Sequence, residues 1–355
     1  MIDLCRREQQ LMIDLPSVFY SPYVAEFGNA AISYLLDYLA GYDYYDYFQV
    51  TKYNNWSLSR ISHRQPKLVS GDYVYPKKAG SGATVVILDH WVSEQTLKDD
   101  YAYIRAYDYT GTGFDDKYDR GTQAALTIGH ESFGVAPDAR IVMLKVGYLN
   151  IPSDQLRINV INAISNTTYR MSDTRSVVIH LGLSFDMLKL SDRMQIEQLL
   201  DELYHQGIPV IKSAGSGNID ACDVPISNVS SVVTVGSIAP DNKMVYINAS
   251  EASNYGSCVD VLAPGSHLST SQISRGFGTT LSAAFVTGIA ALYISMGVPS
   301  GDVAQTIIDS ATLGIAEVHH NTPNRIAFNL PTSHRIWPSL ISRHMRFMWT
   351  QGPNY

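Results

Sequence analysis

The sequence predicts an α/β fold: a mainly parallel sheet with helices on both faces, carrying N- and C-terminal extensions. Three observations carry that expectation. From residue 80 onward, short apolar runs alternate with segments of helical period. The apolar runs are continuous, as strands buried on both faces are. A chain of 355 residues can bury a core of that size without staples.

The elements follow in order. Ala83 to Leu88 (ATVVIL) follows a Gly-Ser-Gly turn and reads as the first buried strand. Thr122 to Ile128 reads as helix, and Ala139 to Val146 (ARIVMLKV) as strand. Gln155 to Arg170 is helical, then Ser176 to Leu183 (SVVIHLGL) is a strand. Ser191 to Gln206 places Met194, Ile196, Leu199, Leu200 and Leu203 at helical spacing, and Gly207 suits its C-terminal cap. Ile208 to Ile211 and Val232 to Val235 are short strands. Leu281 to Met296 is apolar on most faces, so it reads as a buried helix. Two stretches fall outside this rhythm. Residues 1–75 form a Tyr-rich extension in which Ala30 to Ala40 has helical spacing, and residues 316–355 form a tail rich in aromatic, His and Arg residues. The division is therefore 1–75, 76–315 and 316–355.

Composition excludes several functions. The formal net charge is −7, from 26 Lys and Arg against 33 Asp and Glu, with no basic block. That gives no electrostatic footprint for nucleic acid or an anionic membrane. No apolar run approaches the length of a membrane span. The first residues lack the apolar core of a secretory signal, and Cys5, Cys222 and Cys258 are an odd count without metal spacing. Together these predict free thiols and a cytoplasmic location. Four Asn-x-Ser/Thr triplets, at Asn55, Asn166, Asn228 and Asn248, point the other way but arise often by chance. No metal-ligand cluster or nucleotide loop is visible, so no metal and no cofactor is expected. The Asp99-Asp100 and Asp115-Asp116 pairs are too generic for a calcium site.

In an open α/β sheet, ligands bind at the carboxyl ends of the strands. Four segments stand there: Asp89, Arg120 to Gln123, Ser213 to Ser216, and Gly278 to Thr280. In this order they resemble the subtilases, the subtilisin-like serine proteases. VVILDHWV resembles the Asp segment of that family, and RGTQAALTIGHESFGVAPDARIVMLKV its His segment with the strand that follows. SVVIHLGLSF resembles the substrate-binding strand, and PVIKSAGSGN the oxyanion segment. VDVLAPGSHL leads into GFGTTLSAAFVTGIAALYIS, which resembles the Ser segment. The resemblance spans about residues 80–315 and implies the subtilisin-like fold.

At the reacting positions the chain departs from the family. The family has HGTH where this chain has RGTQ, so Arg120 stands at the place of the general base. GTS becomes GTT, placing Thr280 at the nucleophile, and AGN becomes AGS, placing Ser216 at the oxyanion donor. Asp89 is the one triad position kept. A hydroxyl is a poor nucleophile until a base removes its proton, and a guanidinium stays protonated above pH 12. In subtilisin itself, loss of the oxyanion Asn costs about 10²–10³ in turnover, and loss of the base about 10⁶. Arg120 is expected instead to form a buried pair with Asp89. Among the histidines, His90 should point to the opposite face, His130 is too far along its helix, and His180 is the nearest substitute base.

The resemblance also implies a cleft in which a peptide adds as a strand beside Gly182, Leu183, Ser184 and Phe185. Phe185 stands where the family has Gly and could fill the specificity pocket. The reading that follows is a catalytically inactive pseudoprotease that binds a protein or peptide partner, as a scaffold or a subunit of a hetero-complex. The alternative is a divergent endopeptidase, or another hydrolase, using Thr280.

Overall fold

The computed structural model describes residues 48–52, 55–66, 71–90, 93, 104–114, 120–170, 176–186, 188–265 and 278–331. The Ala30–Ala40 helix, most of the Tyr-rich extension, the 332–355 part of the tail, Cys5 and the two acidic pairs lie outside these residues. Among the described residues, no helix is long and apolar enough to cross a membrane.

The elements are β1 (Phe48–Lys52), α1 (Trp56–Ser62), β2 (Asp72–Pro76), β3 (Thr84–Asp89), β4 (Ile104–Asp108), α2 (Arg120–Gly129) and β5 (Arg140–Lys145). There follow α3 (Ser153–Arg170), β6 (Val177–Leu181), α4 (Leu190–His205), β7 (Val210–Ser213), β8 (Val232–Ile238), β9 (Tyr246–Asn248) and β10 (Glu251–Ala252). The chain closes through β11 (Val261–Pro264), α5 (Thr279–Ser295), α6 (Ser300–Asp309), β12 (Thr312–Leu313) and β13 (Arg325–Ile326). Among the described residues the expected strands and helices are present, with ends shifted by at most three residues, as fraying termini allow.

The main sheet runs β12-β13-β11-β8-β7-β6-β3-β5-β4. Every described pairing in it is parallel except β12 with β13. The chain starts this sheet at β3, fills β4 and β5 on one side, then returns to β6 on the other. The order therefore reverses between β3 and β6, and a crevice opens at their carboxyl ends.

Two cores flank the sheet. On one face Val85, Ile87, Val178, Ile211 and Val235 pack with α2 and α5. On the other, Val86, Leu88, Ile179, Leu181 and Val210 pack with α3 and α4. Period two sends consecutive strand residues to opposite faces, so both must be apolar. Helix α5 is buried along nearly its whole length, which explains its lack of a polar stripe. The 55–76 and 325–331 segments close on each other. Asn329 Nδ2 donates to Val74 O at 2.6 Å, Asn329 N donates to Ile61 O at 2.8 Å, and the Arg64 guanidinium stacks 3.8 Å above the Phe328 ring.

The free-thiol expectation is overturned. Cys222 and Cys258 form a disulfide between the loop after β7 and the approach to β11. Thirty-six positions separate them, too far for spacing to suggest the pair; the fold brings their Cα atoms to 5.2 Å. Cross-linking a loop of that length restricts the unfolded chain by about 4 kcal/mol in the chain-entropy model. Cys222→Ala should therefore lower unfolding free energy by about that amount in denaturant titration. Adding reductant to the parent chain should produce the same loss.

Candidate active site

Asp89 ends β3 at the point where strand order reverses and is 1% exposed. Strand alternation puts it on the α2/α5 face, with Val85 and Ile87. Its Oδ1 accepts from the His90 N–H at 2.6 Å. The main chain after β6 presses against the other carboxylate oxygen: a Cβ on Gly182 would lie 2.2 Å from Asp89 Oδ2. No side chain fits at 182 without displacing the carboxylate, so glycine there preserves the crevice.

The N-terminus of α5 forms the opposite wall. Gly278, at φ +97°, makes the turn into the helix, and a Cβ there would meet Ser216 Oγ at 2.7 Å. The Thr279 hydroxyl accepts from Gly215 N at 3.1 Å and lies 3.3 Å from Ser216 Oγ. Thr279 N donates to Ser216 Oγ at 3.4 Å. The Ser216 hydroxyl is thus turned onto the first N–H of α5. Thr280 follows, half-buried, and no hydrogen bond joins its hydroxyl to a described residue.

Asn254, 2% exposed, holds the 214–219 loop in place. Its Oδ1 accepts from Gly217 N and Ile219 N at 2.9 and 3.1 Å, and its Nδ2 donates to Ala214 O at 2.8 Å. The sequence reading missed this residue, because a clamp acting across 40 positions leaves no local signal. It also missed Lys212, whose charge inside the apolar run PVIKSAG was the available sign. Lys212 is 3% exposed, and its Nζ donates to Ser213 O and Ser227 Oγ, both at 2.7 Å. Burial pulls its pKa down to about 8, opposed by the Asp186 carboxylate.

Arg120 begins α2 and is exposed. The expected buried pair with Asp89 is therefore not the arrangement found: a residue at the open end of a helix keeps its guanidinium in water. The His90 ring is held near a pKa of about 4, first by burial and then by the Arg120 charge. His90 follows Asp89 on the opposite face and packs on Gly147. His130 is 8% exposed at the far end of α2, stacked 3.6 Å from Phe133.

The expectation that His180 could act as a base is also corrected. His180 is fully buried between β6 and α5. The Thr287 hydroxyl donates to Ala283 O at 2.8 Å, so it accepts from His180 Nδ1–H at 2.9 Å. This assigns the neutral Nδ1–H tautomer. Thr287 lies two turns beyond Thr280, about 10 Å along the helix. Phe185, expected to fill a pocket, is buried. At 2% exposed, it belongs to the α3/α4-side core with Leu183 and Ile226. Gly182 is half-buried against the Asp89 carboxylate, and Ser184 is exposed.

A model of the subtilase family matches residues 75–327. The chain belongs to the subtilase family. An alkaline proteinase of Hapsidospora chrysogena is 27% identical over 289 residues, covering 79% of this chain and 69% of that protein. An alkaline extracellular protease of Yarrowia lipolytica is 27% identical over 300 residues, covering 79% of this chain and 64% of that protein. The crystal structure of a cold adapted subtilisin-like serine proteinase superposes with a TM-score of 0.66 at 25% identity, covering 78% of this chain and 98% of that one. This subtilase's expected cytoplasmic location is overturned. The disulfide belongs to oxidising compartments, and a matched relative is named as extracellular.

Burial holds His180 neutral, near a pKa of about 4 in the folded chain against 6.5 in a free one. The unfolded chain takes up a proton below pH 6.5 that the folded chain refuses until about pH 4. Stability is therefore fully present above pH 6.5 and falls as pH drops through that window, by about 3 kcal/mol for this group. Denaturant titrations at pH 7.5, 5.5 and 4 should show that fall, and His180→Gln should reduce it, leaving the part that buried His90 contributes.

Proposed function

We propose that this subtilase binds a peptide or protein segment in its cleft without cleaving it. The observation that carries the proposal is Arg120, an exposed guanidinium at the position where the family places its general base. It cannot accept the proton that an attacking hydroxyl must lose. Two features of the geometry support the same reading. The Ser216 hydroxyl lies against Thr279 at the α5 N-terminus, a shorter group standing where the family has an amide donor for the oxyanion. His90 and His180 are held neutral but sit on the wrong face or two helical turns away.

The binding surface survives these changes. Leu183 and Phe185 turn into the core, so the main chain of the cleft run, flanked by Gly182 and Ser184, can accept an extended segment as an added strand. The occupant is a protein or peptide, and the chain then serves as a scaffold or as the non-catalytic subunit of a hetero-complex. We further infer an extracytoplasmic route, which the Cys222–Cys258 disulfide supports. A second reading, hydrolysis by Thr280, draws on one observation: that hydroxyl is half-buried at the positive end of a helix.

A broad peptide mixture, read by mass spectrometry, tests both. The parent chain and Thr280→Ala should be indistinguishable from buffer. A variant carrying Arg120→His, Ser216→Asn and Thr280→Ser should raise cleavage by at least about 10². Cleavage by the parent chain that disappears in Thr280→Ala would establish the hydrolase and overturn the binding reading. Retention of peptides from the same mixture on the immobilised parent chain measures the binding directly, and its absence would also overturn the proposal.

A further inference from the structure

We propose that Asn248 is an N-glycosylation site whose sugar covers an exposed apolar strand edge. The proposal rests on the extracytoplasmic route inferred above and is independent of the cleft. Four Asn-x-Ser/Thr triplets occur in the chain, and the fold sorts them. Asn55 is half-buried and caps α1, accepting from Ser57 N at 3.0 Å next to a helix whose residues 57–62 are all buried. Asn166 lies within α3, where the triplet hydroxyl of Thr168 donates back to Ile164 O at 3.0 Å. Asn228 is exposed but sits between buried Ser227 and half-buried Val229.

Asn248 differs in its exposed surroundings. It ends β9 in a run, 246–251, in which every residue is exposed. The triplet hydroxyl, Ser250 Oγ, donates to Asn248 Oδ1 at 2.9 Å, and Ser250 N donates to the same oxygen at 3.0 Å. The carbonyl end of the amide is thus fixed, and its nitrogen keeps one long contact, 3.4 Å, to Glu251 Oε2. Replacing one Nδ2 hydrogen with a sugar leaves the turn's bonds intact.

The same strand carries Tyr246, 66% exposed, and Ile247, 47% exposed, on a two-stranded sheet. Side chains two apart share a face, so a sugar on Asn248 lies over Tyr246. An unprotected edge with large apolar side chains is a template for self-association. The donor is an oligosaccharide linked to a lipid pyrophosphate. The bond from Asn248 Nδ2 to sugar C1 forms, the bond from C1 to the phosphate oxygen breaks, and the lipid pyrophosphate leaves. The transferring enzyme takes the amide proton.

The test directs the full chain through a yeast secretory pathway and follows its electrophoretic mobility before and after treatment with a peptide amidase that removes N-glycans. A shift should appear that Asn248→Gln and Ser250→Ala each abolish and Ser230→Ala leaves in place. Peptide mapping of the unsubstituted chain should find aspartate at 248 after the amidase, so the result does not depend on a variant folding. Unmodified Asn248 in secreted chain, or a shift that survives both Asn248→Gln and Ser250→Ala, overturns the site. Amidase treatment of the folded chain should increase light scattering; unchanged scattering overturns the covering role. Loss of peptide binding or gain of proteolysis in the earlier experiment bears on neither result, since no cleft residue takes part.

Discussion

The N-terminus of α5 sets the terms for the whole site. A helix buried on nearly every face cannot leave its first N–H groups to water, so they must meet partners supplied by the fold. The partners come from the loop after β7: Ser216 receives the Thr279 N–H, while the Thr279 side chain receives the Gly215 N–H. Asn254 then holds that loop from behind. The arrangement locks two carboxyl-end loops to one helix end and fixes where residues 216 and 280 lie. In a hydrolase of this shape, the same helix end must also present a nucleophile and face an oxyanion. Here the Ser216 hydroxyl oxygen accepts from that helix's first N–H.

Asp89 shows the converse case. It stands at the family's triad position, and its surroundings also give it a structural part. Its carboxylate accepts from the next residue's backbone and fills the space that Gly182 leaves open. Removing it would open a gap at the reversal of strand order, where β3 and β6 must stay in register. The crevice is packed around this carboxylate.

Much of the fold was legible in the sequence because its strands are buried on both faces. ATVVIL and SVVIHLGL announce themselves as continuous apolar runs, and the all-apolar 281–296 segment announces a buried helix. β4 was not legible: IRAYD at a sheet edge is half-exposed and carries no apolar run. The four site positions were readable as motifs, since each is local. What they touch was not. Arg120 exposed at a helix start, Phe185 turned into the core, and the pairing of Cys222 with Cys258 all depend on contacts between distant segments. The location expected from three cysteines failed for the same reason, because an odd count says nothing about which two the fold brings together.

The closure between the 55–76 and 325–331 segments bears on how the chain comes apart. Residues near the two limits of the described structure hold one another, through Asn329 on Val74 and Ile61 and through Arg64 on Phe328. Neither segment can peel away first without stripping the other of its partners. Most domains fray from their ends inward at almost no free-energy cost. Here residues 55–76 and 325–331 belong to one cooperative unit, so opening by this route must break both segments together.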